Sequence, residues 1–578
     1  MASLQRVRVH GQSYWRLVES RRVNGKPRPV VIAYLGKPDD LLARLRAADS
    51  ITVRSRSHGA VAAIYKLAHQ LDVVGIIDRH LAATGRRVRT KAPTSPAKRP
   101  LRNDGLSVGQ SLLLAAVGRA CHATSKRGFA DWASTTTLGE LVGVKAERLT
   151  SQHFWDQMDQ LPVEAIAGIE KELIQTAIDR FQLPLDTLLY DATNFFTFIA
   201  STNEHPHLPA RGHNKQKRHD LRQLGVALLC TRRDGIPLWH RLYGGDVPDA
   251  KSFPDAVGAF HARLVELGRD LDSLTLVYDK GNVSRANQRI VDDAKLHYVA
   301  SLTASSQRAL IAEANANMER VALDETAADE NDRAVMAYRA RRRVFGAERT
   351  LIVVLSERLR QGQKRGILQH VASAQRWLDR LADTLQRGKQ KRDRARIERD
   401  IETRLMGRQH LRKVVRVELK GTKRQLSLTY RFDIAALEAL ERDWLGRIVL
   451  VTDRDDWTTA DIIRAYRGQA HVEAVFAHLK DPVHVAIRPQ YHWTDQKLHV
   501  HVFICLVGYL LARLLHLRAR QAVAYTPSME RLIEDLEQVR RVILARASTT
   551  GKGRLRTSTQ LEYPPQLSDL VAALEVTA

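Results

Sequence analysis

The sequence predicts an α/β fold: a mixed-sheet core with helical parts before and after it and an α+β insertion within it. Three observations carry that reading. Between residues 181 and 303, strand-like runs at Leu185 to Tyr190, Leu224 to Leu229, Ile236 to Tyr243, Leu274 to Tyr278 and His297 to Leu302 alternate with helical patterning at Phe253 to Leu267 and Arg285 to Ala294. That order builds a sheet covered by helices. On both sides of this core the apolar residues recur at helical spacing, as in Leu112 to Val117 and Val502 to Leu511. Finally, residues 304–443 carry strands of their own, and so many residues between core elements form a module more readily than a loop.

Taken in order, residues 1–50 alternate with period two around turns at Gly11 and Asn24-Gly25, a small β-meander. Residues 51–180 read as a helical region able to hold a DNA-reading helix, interrupted at 85–102 by a basic linker with three prolines and no acid. The core's first part is 181–303. In the insertion, 304–443, strands at Thr350 to Leu355, Val414 to Leu419 and Leu426 to Tyr430 flank a long polar helical stretch from Ile367 to Leu405. Residues 361–410 hold 13 Lys+Arg against 6 Asp+Glu, and Val371, Leu378, Leu381 and Leu385 form a partial apolar stripe. The stripe suits either a helical hairpin whose Arg392, Arg394, Arg396 and Arg399 clamp a polyanion, or a dimerising coiled coil. Strand Ile448 to Thr452 and a helix from Thr458 return to the core at 444–485, and 486–578 reads as helical.

With 91 Lys+Arg against 64 Asp+Glu, the chain carries +27 formal charges, which makes nucleic acid the leading partner, with an acidic membrane surface trailing it, and argues against an ordinary metabolic enzyme with a small-molecule substrate. Cys121, Cys230 and Cys505 form no CxxC pair, so neither a disulfide framework nor a zinc finger is expected, and a reducing, cytoplasmic compartment is. Residues 1–22 lack a signal peptide's layout, and Val502 to Leu511 is broken by Arg513 and His516 before membrane-spanning length. It reads as a buried core helix.

Asp191 follows the apolar run ending at Tyr190, and Asp279 follows the run ending at Tyr278. A lone Asp after a strand is usually a turn former. Two of them at the carboxyl ends of neighbouring strands converge on one crevice. Tyr466, Glu473 and Lys480 recur every seven residues and so fall on one narrow stripe of a helix. Three carboxylates in a very basic chain suit phosphodiester chemistry with two Mg²⁺ ions, which prefer hard oxygen ligands.

These residues resemble the DDE transposases of bacterial insertion sequences, in the branch of insertion sequence four and its sister sixteen thirty-four. Tyr190-Asp191-Ala192-Thr193-Asn194 is similar to the first-acid motif and Tyr278-Asp279-Lys280-Gly281-Asn282 to the second. Arg211 to Lys215, Asp220 to Gln223 and Asp234 to Leu238 resemble the segment between them, and Gly25 to Gly36 with Ser125-Lys126 near Trp132 the N-terminal region. The third motif has Tyr466, Glu473 and Lys480, with Gln469 where the family has Arg. The resemblance implies an RNase H-like, retroviral-integrase-like core in which Asp191, Asp279 and Glu473 are catalytic and hold two Mg²⁺, with Mn²⁺ as substitute. It also implies that Tyr466 and Lys480, with Arg467 nearby, contact DNA. Implied partners are transposon ends and target DNA, held by a homodimer near the bacterial nucleoid, with no membrane. A site-specific nuclease without strand transfer and a domesticated, non-catalytic DNA-binding protein are the alternatives.

Overall fold

The computed structural model describes residues 2–577 except 24–25, 41, 43–50, 85–104, 201, 215, 325–326, 328, 388–392, 407–409, 423–424, 484, 488–490 and 547–555. The Asn24-Gly25 turn, the basic linker and Arg392 therefore lie outside the described residues. The chain divides into two units: residues 1–169 with 479–487 and 496–578, and residues 170–478 with 488–495.

The first unit opens on the expected meander, Ala2–Val9, Gln12–Val23 and Lys26–Gly36, antiparallel in sequence order. His10 and Gly11, with φ of +49° and +79°, make its first turn; two left-handed residues are what the tight hairpin turn requires. Where only helices are expected, at 51–180 and 486–578, the structure adds a second sheet. Ile51–Ser57 pairs antiparallel with Arg540–Arg546, which pairs with Arg556–Glu562. Three arginines in Arg540–Arg546 mask its alternation, and one partner lies at the opposite end of the sequence.

Helix Val108–Cys121 begins with a capping box between Ser107 and Gln110, and ten of its fourteen residues are buried. The apolar run Val502 to Leu511 lies in the longer helix Asp495–Val523, which continues through Arg513 and His516. The His516 ring turns inward, its Nε2 2.8 Å from the Pro527 carbonyl oxygen. Its length and composition match a membrane span, but 89% of its apolar window is buried inside the protein, as in a core helix. Gly508 permits the crossing of these two helices, since a Cβ there would sit 2.6 Å from the Ala116 carbonyl oxygen.

The second unit is organised by a nine-stranded sheet whose strands are numbered here along the chain: Thr187–Thr197 (β1), Arg222–Thr231 (β2), Pro237–Gly244 (β3), Thr275–Tyr278 (β4), His297–Leu302 (β5), Glu319–Ala322 (β6), Ala334–Val344 (β7), Ala347–Leu355 (β8) and Arg447–Thr452 (β9). Their order is β6-β7-β8-β9-β5-β4-β1-β2-β3. β1, β4 and β5 are mutually parallel and all other pairs are antiparallel. Each parallel step needs a crossover. Helix Asp249–Glu266 supplies it between β3 and β4, and helix Arg285–Asp293 (α1) between β4 and β5. Every residue of β4 and nearly every residue of β2 is buried, which explains their continuous apolar runs. Three more helices matter below: Arg308–Asn317 (α2), Thr459–Arg467 (α3) and Gln469–Lys480 (α4).

Two expectations about the insertion change. Residues 304–443 are not one self-contained module, because β6, β7 and β8 extend the main sheet through β9. The run Leu-Ile-Val-Val-Leu in β8 is apolar because that strand is interior. What remains apart is a small α/β module from Glu357 to Leu445: helices Glu357–Gln386, Arg394–Met406 and Ile434–Asp443 with the hairpin Val415–Lys420 and Ser427–Phe432. Val371, Leu378 and Leu385 are 5%, 0% and 3% exposed in its core with Ile397, Ile401 and Leu405, and Leu381 packs against them. The stripe is covered within the chain, so it does not form a dimerising coiled coil.

Candidate active site

In register, β1 and β4 place Tyr190 beside Tyr278. Both rings turn toward helix Asp249–Glu266, with the Phe253 centroid 5.2 Å from Tyr190 and 5.0 Å from Tyr278. Side chains alternate along a strand, so Asp191 and Asp279, one residue on, are delivered to the opposite face at neighbouring positions. Asp279 keeps extended backbone, φ −81° and ψ 161°, just beyond the end of β4.

α3 and α4 bring the third carboxylate. The sequence suggests one unbroken helix through Tyr466, Glu473 and Lys480; the structure interrupts it at Gly468, where His471 N–H bonds back to the Gly468 carbonyl oxygen at 2.8 Å. The glycine is a matter of space. A Cβ there would lie 2.9 Å from the Ala465 carbonyl oxygen and 3.3 Å from Leu189 Cδ2 of β1. The break sets the helix pair against the strand that carries Asp191. The Tyr466 hydroxyl donates to Asp279 Oδ1 at 3.2 Å. Burial, then the Asp279 charge, pushes the Tyr466 phenol well above its ordinary value, so it stays a donor. Gln469, in the family's Arg position, donates from Nε2 to the Tyr190 carbonyl oxygen at 3.5 Å, a weak bond to the residue preceding Asp191. Lys480, at the end of α4, belongs to the first unit.

Electrostatics bind the three acids together. The Asp191 carboxyl is pushed up to about 7, first by burial and then by the charges of Asp279 and Glu473; the Ala192 N–H, donating to Asp191 Oδ1 at 2.8 Å, opposes this in part. A guanidinium at position 469 would pull that value down; a neutral amide does not. A cavity of about 270 Å³ opens here, lined by Asp279, Tyr466, Arg467, Gln469 and Glu473 over an apolar wall that includes Ile448 and Leu450.

Not every expected residue reaches this place. Arg467 lines the cavity, with its guanidinium 3.1 Å from Asp332. Arg394 is held in the insertion module by Glu398 at 2.8 Å and by the Leu419 and Gly421 carbonyl oxygens. Arg396 and Arg399 are exposed on the same helix. A residue the sequence reading passed over is Asn282, three positions after Asp279. It is 4% exposed, and its Oδ1 has no hydrogen-bond partner among the described residues. Its place inside the second-acid motif was the available signal.

The donor set is hard oxygen throughout, and mutual repulsion among carboxylates is relieved by a divalent cation. Among the described residues, no three His, Cys, Asp or Glu groups stand close enough to enclose a metal ion. Asp191, Asp279 and Glu473 are therefore not gathered into the three-carboxylate ligand set that the sequence predicts; a hard cation such as Mg²⁺ can be held by one or two carboxylates and otherwise keeps water or binds substrate phosphate.

No family model matches the chain, and no curated protein matches it. Among solved structures the chain is similar to a piggyBac transposase synaptic complex with hairpin DNA, at a TM-score of 0.39 and 10% identity over 82% of this chain and 78% of that one. A likeness at that level is too distant to assign a fold.

Proposed function

We propose that the chain is a DDE transposase of the bacterial insertion-sequence type, which cuts DNA at the ends of its element and joins the freed 3′-hydroxyl to target DNA. The observation that carries this reading is the in-register delivery of Asp191 and Asp279 by two parallel strands to one face, where Tyr466 bonds Asp279 and the charges of Asp279 and Glu473 act on Asp191. The strand order β3-β2-β1-β4-β5, an antiparallel meander extended by two parallel strands, supports an RNase H-like core.

Asp191 and Asp279 would hold Mg²⁺, or Mn²⁺ in its place, with Glu473 and the open oxygen of Asn282 completing the site as substrate arrives. Such ions, when bound, would supply activation of the attacking oxygen and stabilisation of the leaving one. The chain's own residues prepare that site. Tyr466 fixes the orientation of Asp279, and Asp191, which burial and neighbouring charges keep protonated up to about 7, would give up that proton to hold a cation. Gln469 steadies the backbone at Tyr190, while Lys480 and Arg467 meet backbone phosphates. The charge of +27 supports DNA as partner. Two ends must be held at once, which calls for a homodimer on DNA, in the bacterial cytoplasm.

A nuclease of the same fold would cut and stop. Incubating the purified chain with Mg²⁺, a duplex bearing the sequences that flank its gene, and a supercoiled plasmid separates the two. The expected product is flanking DNA covalently joined to the plasmid. Cut ends that never join identify a nuclease, and binding without cutting identifies a domesticated DNA-binding protein.

A further inference from the structure

A second cavity in the sheet-bearing unit, of about 480 Å³, shares no lining residue with the carboxylate cavity and is lined by Arg285, Arg342, Arg343, Gln307 and Phe345 together with the first turn of α2. We propose that it is a docking groove for the sugar-phosphate backbone of duplex DNA, a sequence-independent hold distinct from the cutting site. The proposal rests on the reading of the chain as a DNA enzyme and specifies where part of its affinity resides.

Three arginines line one concavity, and the acids paired with them do not balance them. Arg342 pairs with Glu313 at 2.5 Å, and Glu348 stands across the ladder from Arg343. Arg285 and Arg343 are exposed and form no ion pair among the described residues. Arg285 is also the first residue of α1, with no acid in the first turn. A cation there opposes the helix dipole, and an anion held between them relieves both. α2 begins without a side-chain cap or an acid in its first turn, and Ala309 and Leu310 of that turn line the cavity. Exposed amide donors next to arginines add to the attraction for phosphate.

The hairpin tip between β7 and β8 supplies a second, unrelated sign. Its two turn residues, Phe345 and Gly346, have φ of +56° and +95°. A bulky residue is poorly suited to that left-handed position, where Asn or Gly is favoured. Phe345 nevertheless lines the cavity beside the arginines, an aromatic residue where a deoxyribose would pack. Charge on an outer strand can simply guard it against pairing. That role requires neither convergence on a cavity nor an aromatic in a strained turn.

The test is fluorescence anisotropy of the full chain with a 30-base-pair duplex of random sequence, in EDTA and over a salt series. Without metal, binding is scored apart from cutting, so failure here leaves the assignment of the carboxylates standing. The double variant Arg285→Gln/Arg343→Gln, which spares the Arg342–Glu313 pair, is expected to bind about tenfold more weakly at moderate salt, with the salt slope reduced by about two. Phe345→Asn is expected to melt no lower than wild type and yet to bind DNA more weakly. Unchanged affinity and slope in a double variant with unchanged melting would overturn the proposal. So would Phe345→Asn binding as wild type, displacement of duplex by millimolar pyrophosphate, or equal preference for single-stranded RNA.

Discussion

Asp279→Asn cuts DNA at least about a thousandfold more slowly than wild type while binding it almost as tightly. A metal centre contributes several kcal/mol of charge stabilisation in the transition state, and each 1.4 kcal/mol is a factor of about ten in rate. The amide has the carboxylate's shape and still accepts from Tyr466 through its oxygen, so the local structure survives while a charged ligand is lost. Affinity for DNA comes mainly from phosphate contacts elsewhere, which the substitution leaves alone. Single-turnover cleavage beside a binding titration checks both halves. Cleavage within tenfold of wild type would remove Asp279 from the reaction.

Asp191→Asn makes the protein more stable at pH 8 and leaves it nearly unchanged at pH 4. The sign follows from the direction of the shift. The Asp191 carboxyl is raised to about 7 in the folded chain, above its ordinary value. Below that ordinary value both folded and unfolded chains hold the proton, and no cost arises. As pH rises toward 7 the unfolded chain releases it first, so the folded state loses stability across that window. A fully realised shift of this size is worth about 4 kcal/mol, and allowing for partial solvent access leaves about 2 kcal/mol as the gain of the variant at pH 8. Denaturant melts of both proteins at pH 4, 6 and 8, in EDTA, give the difference. A constant difference across that range would show that Asp191 sits in no such field.

Much of the site is legible in the sequence because its logic is local. Asp191 and Asp279 each follow an apolar run, and the pleat then fixes the face on which they emerge. Glu473 is less so: its relation to Tyr466 depends on the break at Gly468, where a Cβ would crowd the Ala465 carbonyl oxygen and, from parts of the chain distant in sequence, Arg232 and Leu189. Strand Arg540–Arg546 was hidden by its arginines and by a partner at the start of the chain. The insertion differs for the same reason, since the apolar run Leu351 to Leu355 of β8 pairs with β9, far along the chain. The basic run Arg341-Arg342-Arg343 gained meaning only when folding brought Arg285 and α2 to it.

Calorimetric titration of Mn²⁺ into the full chain at pH 6.5, in two buffers of different ionisation heat, tests the central claim most directly. A cation held by Asp191 and Asp279 must displace the proton that Asp191 retains near neutrality. The account predicts binding by wild type with release of about half a proton or more per chain, and weaker binding without that release by Asp191→Asn. Equal binding and equal proton release by the two proteins would contradict it.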